Sequence, residues 1–367
     1  MAAHRGEPEE AGEAGERGES AGRIRAFAAA PVLLALLLGA LAVWLPGSHT
    51  ADAATGAAGA NTCRAGAYLS DLYNLDPAAH TFGARVTVWT VCPRRELDPL
   101  PDAAFSNYND NLEKSEPSLT SERGMFRDVV RVQGTFRQEW DVRAFPFDRH
   151  RIEVKVTSRK EADEVRFVPD NDDAATNDLI APPGWRITGY HLAAVDRHFP
   201  TNFGDPSLPK GKGSTRSRLL IQISLSRSDP VIFWKLTGPL YLMLLIGTAA
   251  FLLPSHSDEL GMAEKLDSMQ SRLSLLGGGL FVVMLNMQQV NTVITSSVGL
   301  TLIDGLHLLT LVYVLLAVVA TVLSWRWTVR GGDPERVERM HHRGAVIALA
   351  AYAAVAGAMV AYAACVG

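Results

Sequence analysis

The chain has 367 residues, 47% of them hydrophobic, and a formal net charge of -4. It lacks the basic excess of a nucleic-acid binder, so no nucleic-acid partner is expected. The average hides segregation: charges crowd the N-terminal two-thirds, while the last third is nearly all apolar.

Residues 1–25 are rich in Ala, Gly, Glu and Arg with almost no large apolar side chain. Such a segment buries too little surface to offset its ordering entropy and is expected to be disordered. Residues 27–46 form an apolar run long enough to cross a bilayer. Arg23 and Arg25 precede it and favour a cytoplasmic N-terminal side. Ala51-Asp52-Ala53 has the small-residue spacing of a signal-peptidase site, so residues 26–53 read as a signal peptide or an anchor helix. Either way, the chain beyond residue 53 is expected to be exported.

Residues 62–229 read as β structure. Arg85–Val91, Val129–Val132, Ile152–Val156 and Leu219–Leu225 alternate apolar and polar side chains. Pro, Gly, Asn and Asp punctuate the chain at 98–111, 169–184 and 200–214. Short strands with turn signals predict a β-sandwich. Cys63 and Cys92 fall in this exported part, where a disulfide survives. Whether their Cβ atoms approach closely enough to pair is left open by the sequence.

Four apolar runs come next, at about 231–253, 273–295, 300–325 and 344–366, each near the ~20 residues of a spanning helix. Arg326, Arg330, Arg336, Arg339 and Arg343 lie between the third and fourth, which predicts a cytoplasmic loop there. The fold class is therefore an extracytoplasmic β-sandwich followed by a four-helix transmembrane domain over 230–367. The second run is unusually polar. Ser274, Gly278, Phe281, Leu285, Gln288 and Thr292 recur at three- and four-residue steps and share one helix face. Two readings stay open: small and polar residues that glue helices together, or a water path narrowed by an apolar ring.

The order of parts resembles the pentameric ligand-gated ion channels, the Cys-loop receptor superfamily in its prokaryotic branch. The resemblance covers residues 64–366 and is carried by four stretches. Gly66–Asp76 with Thr81, Phe82 and the run through Trp89 is similar to the first two strands of the ligand-binding domain. Phe145-Pro146-Phe147-Asp148 resembles the F-P-F-D signature of the loop that names the superfamily, without its flanking cysteines. Arg227–Lys235 running into Pro239 resembles the junction with the first membrane helix. Arg272-Leu273-Ser274 and Ile303-Asp304 are similar to the openings of the second and third helices. The chain departs from the pattern in its long 255–270 connection, in Gly277–Gly279, and in lacking proline over 291–300.

The resemblance implies a homopentamer whose second helices surround an ion path. Ser274, Gly278, Phe281, Leu285, Gln288 and Thr292 would line the pore, with Phe281 as the apolar gate. Asp76, Asp148 and Arg227 are expected to meet where the two domains join, together with Phe145, Pro146 and Phe147. Glu264 and Asp267 would form acidic rings favouring cations, or are solvated loop charges. The ligand would lie between subunits, under the hairpin at 199–215. Phe199 and Phe203 there would enclose a cationic or aromatic ligand, with Trp89, Tyr108 and Arg131 as further candidates and Lys210 and Lys212 as solvated charges.

His150 beside the F-P-F-D motif titrates near neutrality if unperturbed, so a proton is a second candidate agonist. The remaining expected partners are permeating inorganic ions and the lipid bilayer of the plasma membrane. The alternative is a non-conducting membrane-anchored sensor of the same fold. No G-x-S-x-G, phosphate loop, CxxC or HExxH occurs, and His341-His342 lacks carboxylates at metal-binding spacing. No enzymatic activity, cofactor or metal is expected.

Overall fold

Period-two alternation is realised as strands across the first half of the described chain. The computed structural model describes residues 61–177, 181–206, 211, 213–252, 261–293, 299–331 and 333–367. The expectations for residues 1–53, for Lys210 and Lys212, and for the side chain of Thr292 lie outside the described residues.

In chain order the strands are β1 (Thr62–Asp76), β2 (Thr81–Cys92), β3 (Ala104–Phe105), β4 (Tyr108–Lys114), β5 (Thr120–Glu122) and β6 (Met125–Arg137). They continue as β7 (Arg149–Thr157), β8 (Arg166–Pro169), β9 (Ala175–Thr176), β10 (Trp185–Phe199) and β11 (Ser214–Arg227). One sheet runs β4-β6-β2-β1-β8, with β5 on β6 and β9 on β1; the other runs β10-β11-β7-β3. Along β2 and β11 every second residue points inward. Phe82, Ala84, Val86 and Val88 of β2 and Leu219, Ile221, Ile223 and Leu225 of β11 are all fully buried. Both sheets feed the same apolar cluster, which also takes Phe136, Trp140 and Ile152. Burying each large aliphatic or aromatic side chain contributes about 1.5–3 kcal/mol.

Cys63 and Cys92 are disulfide-bonded, with Cα atoms 4.5 Å apart. The β1–β2 register dictates this, because Arg64 lies opposite Val91 and the next pair outward is the two cysteines. The bond closes a loop of 29 residues, which restricts the unfolded chain by ~3–4 kcal/mol in the loop-entropy model. Cys63→Ser should lower the stability of the β-rich domain by about that amount. Thermal unfolding with and without reductant checks this, and a reductant-insensitive wild type would contradict it.

The helices are α1 (Val231–Leu252), α2 (Met262–Val293), α3 (Leu302–Val329) and α4 (Pro334–Val366). All four are long and apolar enough to cross a membrane; the shortest, with 22 residues, spans about 33 Å at ~1.5 Å per residue. Two expectations change here. The 255–270 connection is not a long loop, because 262–270 is already helix. Met262, Ala263, Glu264, Lys265 and Leu266 are good helix formers, and Glu264 accepts a hydrogen bond from the Gly261 N–H at 3.1 Å. Likewise the arginines between the third and fourth runs sit mostly on helix. Arg326 lies in the last turn of α3, and Arg336, Arg339 and Arg343 lie in the first turns of α4. The start of α3 is fixed by a capping box in which Thr301 and Asp304 each take the other's backbone N–H.

Candidate functional site

Two of the stretches that carry the resemblance, Phe145–Asp148 and the one that opens at Arg227, meet where the β-rich domain joins the helices. β7 begins and β11 ends next to one another, since Ser226 pairs with Arg149. This register brings Asp148, just before β7, to Arg227, the last residue of β11. Arg227 Nε donates to Asp148 Oδ1 at 2.8 Å. His150 Nε2 lies 2.6 Å from Asp148 Oδ2. An ionised carboxylate only accepts, so Nε2 carries the hydrogen. The Asp148 side chain is fully buried, and those of His150 and Arg227 are 4% and 18% exposed.

Aromatic rings enclose the charges. The Arg227 guanidinium sits 4.3 Å from the centre of the Trp185 ring and 4.5 Å from that of Phe145. Trp140 meets the His150 ring edge-on at 4.9 Å. Removing water this way strengthens the ion pair and makes the loss of either partner costly. The same loop grips the helices. Phe147 packs on Phe233 of α1 at 5.4 Å, and the Leu302 N–H at the start of α3 donates to the Arg143 carbonyl at 2.8 Å. Pro146 is buried in the middle of this loop, after a cis peptide bond. The loop thus touches the first turns of two helices.

Asp76 does not join this cluster. It is exposed, and its Oδ1 accepts the N–H groups of Ala78 and Ala79, both at 2.9 Å. The turn between β1 and β2 has donors that need satisfying, and the local aspartate takes them. Asp76 makes no ion pair among the described residues, so Arg227 serves one carboxylate rather than two.

Burial by itself would raise the pKa of Asp148. The hydrogen bond from His150 and the charge of Arg227 outweigh it and hold the carboxyl below its ordinary value. A depressed carboxylate stabilises the fold fully above its unfolded pKa of about 3.9, and that contribution is lost as pH falls through the folded value. Unfolding midpoints measured from about pH 6 down to pH 3 should therefore drop in the wild type, with a shallower fall in Asp148→Asn. Equal acid limbs in the two proteins would contradict the assignment.

α2 has two distinct faces. Arg272, Leu276, Gly279, Val283, Asn286 and Val290 are buried, at alternating steps of three and four. Gly279 lies so close to Met243 of α1 that a Cβ would collide with that side chain. Asn286 Nδ2 donates to the Leu236 carbonyl at 2.6 Å and lies 3.0 Å from Nε2 of the fully buried His307. These contacts tie α2 to α1 and α3. The other face carries Ser274, Gly278, Phe281, Leu285 and Gln288, all exposed. Phe281 is 64% exposed. Gly278 has open space where a side chain would sit. Glu264 and Asp267 are exposed in the first turns of the same helix.

The hairpin of β10 and β11 brings Phe199 and Phe203 together, ring centres 5.3 Å apart. Each ring has one cation of the chain near it. Arg216 lies 4.1 Å from the centre of the Phe203 ring, and Arg218 lies 5.9 Å from that of Phe199. Each ring thus has one arginine of the facing strand beside it. Trp89 packs over Gly66, which has no room for a side chain. Arg131 pairs opposite Thr87, one diagonal step from Trp89, on the outward face of the larger sheet. Tyr108 pairs opposite Phe136 on an edge strand, five residues along β6 from Arg131, and does not join them.

The residues overlooked by sequence reasoning are Trp140, Trp185, His307, and Arg216 with Arg218. Trp140 lies five residues before the F-P-F-D loop, a proximity that signals its role. Nothing local signals Trp185, which reaches the cluster only through the β10–β11 pairing.

No family model and no curated protein matches this chain. Its order of parts, a β-rich domain and then four apolar helices, is compatible with the pentameric channel fold.

Proposed function

We propose that the chain is a subunit of a homopentameric ligand-gated ion channel in the plasma membrane, with its β-rich domain an exported sandwich. The observation that carries this reading is the uncovered face of α2. A transmembrane face bearing Ser274 and Gln288 is costly against lipid. The sister helices of the same chain do not cover it, because they occupy the seam from Arg272 to Val290. Five such faces around one axis give hydroxyls at one end, a bulky apolar ring in the middle and amides at the other. The exposed acids Glu264 and Asp267 near one mouth favour cations. Binding under the β10–β11 hairpin would shift the closed–open equilibrium by its differential affinity for the two states. The Asp148–Arg227 latch would transmit that shift to α1 and α3.

Proteoliposomes loaded with a cation-sensitive dye test conduction, and electron-microscopy class averages of the same preparation test assembly. Five-fold particles with dye response support the reading. Five-fold particles without flux would move it to the non-conducting sensor, and monomers would remove it.

A further inference from the structure

The end of the β10–β11 hairpin concentrates arginines on one sheet face. Arg197 and Arg216 are cross-strand partners, and Arg218 comes two residues later, so all three point the same way together with Phe199. Glu161 partly balances Arg216, at 3.9 Å. Arg218 and Arg197 have no carboxylate within ion-pair distance among the described residues. Arg218 is half-buried, and its Nε donates to Thr157 Oγ1 at 2.9 Å, which leaves its terminal nitrogens without a carboxylate. Glu153, whose charge acts on Arg218, already accepts from Gln222 at 2.9 Å and pairs with Lys155 at 3.5 Å. Two like charges sharing a partly dry face repel one another. Burial, followed by the charge of Arg197, lowers the Arg218 pKa against the opposing field of Glu153. An oxyanion relieves that repulsion and offers the planar acceptor pair that a guanidinium fork matches. The adjoining Phe199 and Phe203 rings supply apolar surface for the rest of a ligand.

We infer that this hairpin face binds a small organic carboxylate with an apolar body, its carboxylate held by Arg218 with Arg197 alongside and its body against the two phenylalanines. The inference names an agonist class for the site in the channel reading and rests on that reading only for the consequence of binding.

The test titrates the purified full-length protein with benzoate, benzylamine and benzyl alcohol, three probes that share a ring and differ in charge. Calorimetry reads binding, and dye flux is followed in parallel. Benzoate is expected to bind saturably at millimolar concentration or below, and benzylamine is not. Arg218→Gln should weaken benzoate binding roughly tenfold or more, as expected for loss of charge-assisted hydrogen bonds. Arg197→Gln, an exposed position safe for folding, should weaken it severalfold, and Arg218→Lys should restore part of the loss. Benzylamine binding at least as tightly as benzoate, benzoate binding indifferent to both glutamine variants, or no saturable benzoate binding would each overturn the inference. Benzoate binding that never changes flux would leave the anion site standing and count against the channel.

Discussion

Arg227→Ala will abolish agonist-evoked current and destabilise the protein by about 3–5 kcal/mol. The magnitude reflects the groups left behind. Asp148 stays fully enclosed while losing the cation that balances it. His150 is then the one hydrogen-bonding side chain left to the carboxylate among the described residues. The aromatic cage also loses the guanidinium that fills the space between Phe145 and Trp185. A paired change separates charge from packing. Asp148→Asn with Arg227→Gln leaves no buried charge and should recover much of the stability, since replacing both partners of a buried pair is often nearly neutral. If the pair serves only as a clamp, current recovers with stability. If it transmits ligand binding, current stays lost in the stable double variant. Wild-type current in Arg227→Ala would remove the coupling role altogether.

The second large effect concerns α2. Phe281→Ser is expected to leave stability nearly unchanged and to raise resting conductance many-fold. Stability holds because the ring contacts little within its own chain, where it is 64% exposed. Conductance rises because an apolar constriction excludes water, and a ring of hydroxyls at the same level rewets it. Val283, two residues on, provides the contrast. It is fully buried against the other helices, so Val283→Ala should cost about 1–3 kcal/mol and leave resting conductance low. Flux from liposomes without agonist, beside thermal unfolding of the same preparations, reads both quantities. A Phe281→Ser protein that is destabilised but tight would mean that the ring packs rather than gates.

The sequence made the long strands legible where alternation is strict, as in β2 and β11, and the four apolar helices by length. It hid β10, because Gly189, Ala193 and Ala194 beside polar His191 and Asp196 give no clean period. It hid the first turns of α2 and α4, because Glu264, Lys265 and Asp267, or Arg336 and Arg339, break the apolar run without breaking the helix. The exposed stripe of α2 was legible from spacing alone, since residues three and four apart share a face. Its buried counterpart was not, because Asn286 is polar and only the neighbouring Leu236 carbonyl and His307 show why it faces inward. The pairing of Asp148 with Arg227 came through the F-P-F-D resemblance, whereas the diversion of Asp76 into its own turn depends on backbone donors that no side-chain motif records.

In the proposed channel one side of α2 borders water, while the opposite side packs on α1 and α3. Single cysteines introduced along α2 in a Cys365→Ser background, treated with a membrane-impermeant thiol reagent in proteoliposomes, test it most directly, because Cys365 is the free thiol among the described residues. Modification, with altered flux, is expected for Ser274→Cys, Gly278→Cys, Phe281→Cys, Leu285→Cys and Gln288→Cys, and protection for Leu276→Cys, Val283→Cys and Val290→Cys. Reaction confined to the second set, or no reaction anywhere along the helix in folded protein, would contradict it.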